Sequence, residues 1–387
     1  MPDGLRILLI NQSHTDNIGD HAIGDVMRRF FTAHGCITAD VPYEDHVEDR
    51  ATPRFAARFD PRGNAPRAAA RVTPLMDRWN RRRIIRLVDD AEASQAARFD
   101  AAVIGGGELL GRHYGFNSAF VSWVSVLRER GIPVFVTGVS GDARLPSPWL
   151  DRYAKALHGC EYVGVRDGAT HDLVVRRYGV PARLTPDVAF TYRALHDGVP
   201  AAGRNPIAAD RNRVLCVPGP FNDHALQSLH LEDRNAYCAY LADRAVRHAQ
   251  DGGAHVDEFV VAATAGEDVP LLDDVAAAIG RRTRARVFTT VPADVDAYTA
   301  LLPSTSAVVA GRMHAMILAL QYGCTIDPIP CKDKLRTFAT EYGDGVRVQD
   351  VERQSMDGLN QLLDLISASR TLHDRESDWE SDGAADE

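Results

Sequence analysis

The stretch AVVAGRMHAMILALQY, Ala307 to Tyr322, reads as a strand, a turn and a helix in immediate succession. Ala307–Ala310 is a short apolar run with two β-branched residues at its centre, of the kind buried in a parallel sheet. Gly311 allows a tight turn, and the apolar run from His314 to Tyr322 continues as a helix. The same succession recurs along the chain. Leu5–Ile10 is a strand, followed by a Gly-Asp loop and a helix over Ala22–Ala33. Ala101–Ile104 is a strand that runs into Gly105-Gly106-Gly107, with a helix over Ser118–Arg130 after it. Val134–Val139 and Tyr162–Val165 read as strands, and Ala169–Tyr178 as a helix. Farther on, strands at Val214–Val217, Glu258–Ala263 and Arg286–Thr289 alternate with helices at Ala236–Ala249, Leu271–Arg281 and Asp294–Leu301. Such alternation means parallel βαβ units.

The expected fold class is therefore α/β, with two doubly wound, Rossmann-like domains. The alternation stops near residue 195 and restarts near 213. Between them Gly198, Pro200, Gly203 and Pro206 mark a linker over 196–212. This gives a first domain over 1–195 and a second over 213–370. Two regions stand outside the plan. Residues 48–98 are rich in Arg and Ala around Arg81-Arg82-Arg83 and read as a partly helical insertion. Residues 371–387 are acidic and lack a hydrophobic period, so they are expected to be disordered.

Composition narrows the function class. The 387 residues carry a formal net charge of −9, which argues against a nucleic-acid binder. Lysines occur only at Lys155, Lys332 and Lys334, leaving 41 of the 44 basic residues as arginine. The six cysteines form no C-x-x-C pair, and no His cluster has metal-ligand spacing, so no metal site is expected. The N-terminal apolar run lacks the flanks of a signal peptide, and nothing approaches the roughly 20 apolar residues of a membrane helix. The expected location is cytoplasmic, with contact at the inner membrane face left open.

Ligands of open α/β sheets bind at the carboxyl ends of the strands, where helix N-termini meet anions. Five turns of that kind carry chemistry. In Gly311-Arg312-Met313-His314, Arg312 offers a permanent cation with a planar fork and His314 a proton-transfer group. The competing reading is an arginine satisfying a nearby carboxylate and a structural histidine. In Asn17-Ile18-Gly19-Asp20, Gly19 suits a turn at positive φ and Asp20 suits a helix cap, or the loop faces a ligand. Gly105-Gly106-Gly107 would expose backbone amides, although the following Leu109-Leu110-Gly111 does not complete a dinucleotide fingerprint. Arg166 ends a short strand and would point into a cleft, or pair with Asp167 or another acid. Asp187 reads as a turn former after Pro186.

Taken in order, these pieces resemble the polysaccharide pyruvyl transferase family. The resemblance rests on Asn17-Ile18-Gly19-Asp20-His21-Ala22-Ile23, Gly105–Gly107, Val165-Arg166-Asp167-Gly168-Ala169-Thr170, Asp187-Val188-Ala189-Phe190 and Gly311-Arg312-Met313-His314-Ala315. A lysine about twenty residues after the last motif completes it, with Lys334 in that place and Lys332 as competitor. The resemblance implies a GT-B-like fold with the active site in the cleft between the domains. It implies transfer of the pyruvyl group of phosphoenolpyruvate onto two hydroxyls of a sugar, as a ketal, with release of phosphate. The acceptor would be a glycan or glycan precursor, lipid-linked or not, and no cofactor is expected. His314 and Arg312 take the catalytic places. Arg166, Arg312, Met313, Lys334 and Gly105–Gly107 take the donor-binding ones. Asn17, Gly19, Asp20 and Asp187 face the acceptor or order the loops.

Two other functions compete. A nucleotide-sugar glycosyltransferase of the same fold often places a glutamate in the helix after a glycine turn, and Arg312–Gly323 contains no acid. A non-catalytic sugar- or anion-binding relative would keep the scaffold without converging Arg and His side chains. For Arg81-Arg82-Arg83, a solvated helix face competes with a basic patch for an anionic lipid surface or a phosphate-bearing acceptor.

Overall fold

The structure, a computed structural model, describes residues 4–44, 66–111, 114–142, 145, 147–198, 211–251, 256–343 and 346–383. The chain divides into two compact units, and neither is continuous in sequence. The first takes the described residues of Met1–His14, Ile23–Val188 and Arg353–Glu387; the second takes Thr15–Ala22 and Ala189–Glu352.

In the first unit, β1 (Arg6–Asn11), β2 (Ile37–Pro42), β3 (Ala101–Leu110), β4 (Val134–Gly141), β5 (Tyr162–Val165) and β6 (Arg183–Leu184) form one parallel sheet. Their order is β2-β1-β3-β4-β5-β6. The connecting helices are α1 (Ile18–Ala33), α2 (Pro66–Gln95), α3 (Tyr114–Glu129), α4 (Ser147–Leu157) and α5 (Gly168–Asp172). The central strands β1 and β3 read as continuous apolar runs because helices cover both faces. The start of α1, up to Ala22, belongs to the second unit.

The second unit begins with α6 (Tyr192–Asp197) and holds a second parallel sheet. Its strands and helices are β7 (Arg213–Val217), α7 (Asp223–Leu229), α8 (Arg234–Asp251), β8 (Glu258–Ala262), α9 (Leu272–Gly280), β9 (Arg286–Thr290), α10 (Val295–Thr299), β10 (Thr305–Ala310), α11 (Met313–Gln321), β11 (Thr325–Pro328) and α12 (Asp333–Tyr342). Strand order is β11-β10-β7-β8-β9, so the winding reverses between β7 and β10. The last helix, α13 (Val348–Gly383), returns to the first unit from Arg353 onward. The doubly wound, two-unit α/β class is thus present.

Several expectations need correction. The Arg-rich segment is no insertion from residue 66 onward. Met76, Ile84, Val88 and Ala91 of α2 are buried in the core of the first unit, at spacings of eight, four and three residues that keep them on one helical stripe. Residues 45–65 lie outside the described residues. The Arg81-Arg82-Arg83 run does not form one basic face. Arg81 pairs with Glu129, while Arg83 is buried and donates to the carbonyls of Pro42 and Tyr43. The tail expected to be disordered continues as α13 to Gly383, with Leu359, Leu362 and Ile366 buried earlier along the same helix. The expected linker begins inside α6, and its 199–210 part lies outside the described residues. Strands β2 and β11 and helices α4, α7 and α12 had not been read from the sequence. Among the described residues no helix is long and apolar enough to cross a membrane.

One ion cluster braces the second sheet. Asp327 on β11 accepts from Arg244 Nε at 2.9 Å and from His248 Nε2 at 3.0 Å, both on α8. Burial alone would push Asp327 up, but its bonds to His248 and Arg244 hold it below its ordinary value of 3.8. A carboxylate held low in the folded state adds stability above its unfolded value, and that stability is lost as pH falls through the folded one. Asp327→Asn should therefore lower the melting temperature at pH 7. Its deficit against the parent protein should shrink as pH drops below 3.8, which a series of melting curves would show.

Candidate active site

The candidate site lies at the switch point of the second sheet, where the loops after β7 and β10 leave in opposite directions and open a crevice. Gly311 N–H donates to the Val217 carbonyl at 2.9 Å, extending the β7–β10 pairing by one bond. Beyond that the two loops touch backbone to backbone. A Cβ on Gly311 would lie 2.5 Å from the Pro218 carbonyl oxygen, and one on Gly219 would lie 2.7 Å from Gly311 Cα. Gly219 also has φ +78°, a conformation that favours glycine. Gly311 is needed for this close approach, with an ordinary φ.

A recess opens there. Arg312, Met313 and His314 line it from the start of α11, Lys332 and Lys334 from the start of α12, and Asn17, Ile18 and Gly19 from the start of α1. Pro220 and Thr264, after β7 and β8, complete much of the wall. Three helix N-termini therefore face one space, each adding the positive end of a helix dipole. Among the described residues, the charged side chains in its lining are all cationic: Arg312, Lys332 and Lys334. The arrangement suits a small, multiply charged anion.

Each predicted residue has a definite place. Asn17, not Asp20, caps α1: its Oδ1 accepts from the Gly19 N–H at 2.9 Å. Asp20 lies within the first turn, where its carboxylate accepts from Thr15 Oγ at 3.3 Å and its charge suits the helix N-terminus. Gly19 is helical, contrary to the turn expected at positive φ. What requires glycine is His314: a Cβ at Gly19 would lie 2.3 Å from the imidazole Nδ1 and 2.7 Å from its Cβ. The loop that carries Asn17 is tied down within the same unit. Ile18 N–H donates to the Thr264 carbonyl, and Gly266 N–H to Asp16 Oδ2, each at 2.9 Å.

Arg312 is held by two acids that the sequence reading missed. Its Nε and Nη2 donate to Asp268 Oδ1 at 3.1 and 2.7 Å, and Nη2 also to Glu267 Oε1 at 2.7 Å. Burial disfavours the guanidinium charge, but Asp268 and Glu267 outweigh it and hold Arg312 above its ordinary value. These acids sit in the turn after β8, the same kind of position that pointed to Arg312. A search for acids in every strand-end turn would have found them.

The remaining candidates stand in the first unit. Arg166 and Asp187 are both buried and come together, with Arg166 Nη1 donating to Asp187 Oδ2 at 2.7 Å and Nη2 to Ser140 Oγ at 2.9 Å. Asp187 is thus an ion-pair partner, and its carbonyl accepts from Ser355 Oγ at 3.0 Å; the turn-former reading is replaced. Asp167 caps α5 instead of pairing with Arg166. Gly105–Gly107 lie inside β3, not in a loop after it. Gly105 and Gly106 are packed against Met27 and Ile23 of α1, so this stretch is buried strand instead of an open nest.

A family profile described as polysaccharide pyruvyl transferase matches residues 17–325. The chain belongs to the polysaccharide pyruvyl transferase family. Asn17, the glycine triplet, Arg166, Asp187 and the Gly311–Ala315 motif all fall within the match, whereas Lys332 and Lys334 lie beyond it. Membership in the polysaccharide pyruvyl transferase family supports a transferase that modifies polysaccharide. No curated protein matches by sequence. Among solved structures, the chain is similar to UDP-GlcNAc 2-epimerase from Methanocaldococcus jannaschii, at 9% identity and a TM-score of 0.49, covering 92% of each chain. It is also similar to the catalytic domain of starch synthase IV from Arabidopsis thaliana, at 10% identity and a TM-score of 0.46, covering 95% of this chain and 100% of that one. A third similarity is to a glycosyltransferase from Rickettsia africae, at 9% identity and a TM-score of 0.44, covering 95% of this chain and 93% of the other.

The Gly19–His314 contact gives a direct check within this pyruvyl transferase family member. Gly19→Ala should lower the melting temperature, because its Cβ would lie 2.7 Å from the His314 Cβ, an atom that ring rotation cannot move, and this clash outweighs alanine's helix preference of up to about 1 kcal/mol. It should also displace the His314 ring, read as shifted imidazole resonances in ¹H–¹³C spectra. Unmoved resonances would show that Gly19 does not set the ring's position.

Proposed function

We propose that this protein moves the pyruvyl group of phosphoenolpyruvate onto two hydroxyls of a sugar, in a glycan or glycan precursor, as a ketal. The observation that carries the reading is the convergence of three helix N-termini, Arg312, Lys332 and Lys334 around His314. Phosphoenolpyruvate is a small anion bearing a phosphate and a carboxylate, and such a recess offers both groups donors of fixed charge.

The chemistry has simple demands. The methylene carbon of the donor takes a proton and becomes a methyl group. Its neighbour, C2, then carries developing positive charge and accepts the two sugar oxygens. The C2–O bond to phosphate breaks, and the two hydroxyl protons end on the methyl group and on the departing phosphate. In this reading His314 supplies the proton to the methylene carbon, a task suited to imidazole near neutral pH. Arg312 and the two lysines hold the phosphate and stabilise it as it leaves. The bonds from Arg312 Nε and Nη2 to the buried Asp268 keep its fork in one orientation, so little reorganisation is needed at the moment of transfer.

Thermal-shift titration of the purified protein tests the donor. Phosphoenolpyruvate should raise the melting temperature, UDP and GDP should not, and Arg312→Ala should abolish the shift. Stabilisation by a nucleotide alone would transfer the site to a nucleotide-sugar glycosyltransferase. With an acceptor in hand, Arg312→Ala and His314→Ala should each reduce kcat/KM by at least about 100-fold while the fold is retained. Full activity in either variant would remove that residue from the mechanism.

A further inference from the structure

Glu267 and Asp268 are neighbours in sequence and meet the same guanidinium, but their surroundings differ. Asp268 is 0% exposed. Its Oδ2 accepts from the Thr264 and Ala265 N–H groups, each at 3.1 Å, and from Thr264 Oγ at 3.4 Å. Its Oδ1 faces Arg312 Nε and Nη2. The Glu267 side chain is 58% exposed, and its Oε1 reaches only Nη2, at 2.7 Å.

These settings have opposite consequences. Moving Asp268 would break its backbone bonds and leave a desolvated guanidinium unpaired, which is strongly unfavourable. Moving Glu267 returns a carboxylate to water at little cost, because exposed ion pairs are weak. Arg312 Nη2 therefore has one fixed acceptor and one replaceable acceptor. Arg312 lines the recess and the two acids do not, so an anion entering the recess meets a guanidinium whose charge Glu267 partly neutralises.

We propose that Glu267 is a displaceable counter-ion that sets the affinity of the recess for its anionic donor. Asp268 is the fixed positioning residue that keeps the Arg312 fork aimed while Glu267 gives way. The proposal rests on the anion-site reading above. In the empty site Glu267 neutralises part of the cationic cluster, and a bound donor takes its place. The donor's negative charge is what expels it, so the exchange favours a phosphate dianion over weakly charged ligands.

The test is calorimetric titration of the full chain with phosphoenolpyruvate and with inorganic phosphate, at low and high salt. Glu267→Gln should bind both about fivefold more tightly at low salt, the value of one exposed ion pair. The advantage should shrink at high salt as the charges are screened. Asp268→Asn should bind both more weakly at either salt. Glu267→Gln is an exposed change that keeps the side chain's shape, so it decides the matter even if Asp268→Asn fails to fold. Unchanged or weaker binding in Glu267→Gln, with the parent protein binding normally, overturns the proposal and leaves the donor site standing. Unchanged donor affinity with lost turnover would also overturn it, making Glu267 a group that acts on the acceptor. If the parent protein binds neither anion, the donor reading falls and this proposal with it.

Discussion

Two backbones in contact at Gly219 and Gly311 hold the carboxyl ends of β7 and β10 together, and the recess depends on that contact. A side chain at Gly311 would meet the Pro218 carbonyl oxygen at 2.5 Å and force the loops apart. Arg312 follows at once as the N-cap of α11, with extended backbone at φ −126° and ψ 119°. The next two residues, Met313 and His314, open the helix into the space that the diverging loops leave. The place of the cation and the imidazole is thus fixed by main-chain packing before any side chain contributes.

Helix α11 is anchored at its other end as well. Ala315 through Ala319 are buried, so the helix fits the core on every side and has little freedom to rotate. Two arginines meet its carboxyl terminus: Arg193 Nη1 donates to the Gln321 carbonyl at 2.8 Å and Arg211 Nη1 to the Gly323 carbonyl at 2.6 Å. Cations there satisfy the last carbonyls and oppose the negative end of the dipole. A start that suits an anion and an arginine-capped finish make the two ends of the helix electrostatically complementary to their surroundings.

What the sequence disclosed was local. The strand, turn and helix around Gly311–His314 lie within sixteen residues, and both the element types and the candidate side chains could be read from spacing. The pairing of Arg312 with its counter-charges could not, because Glu267 and Asp268, although in a strand-end turn of their own, reach it from about 45 residues away. Gly19 was recognised as necessary, but for the wrong reason. Backbone conformation is a local property, whereas the His314 ring that excludes a Cβ arrives from the far side of the unit's sequence. In α2, arginines on the exposed face hid an ordinary core stripe through Met76, Ile84 and Val88. Asp187 looked like a turn former because its partner, Arg166, stands on a different strand end.

The discontinuous first unit has a consequence for how the protein is made. Synthesis runs from the amino end, so β1 to β6 emerge first and the second unit's sheet follows. Only then does α13 appear, carrying Ser355 for the Asp187 carbonyl and Gly358 for the close packing on Thr185. The Arg166–Asp187 pair is therefore born without its final cover. The first domain to leave the ribosome is the last to be finished, and a nascent chain stalled before residue 353 carries that vacancy for as long as it stalls.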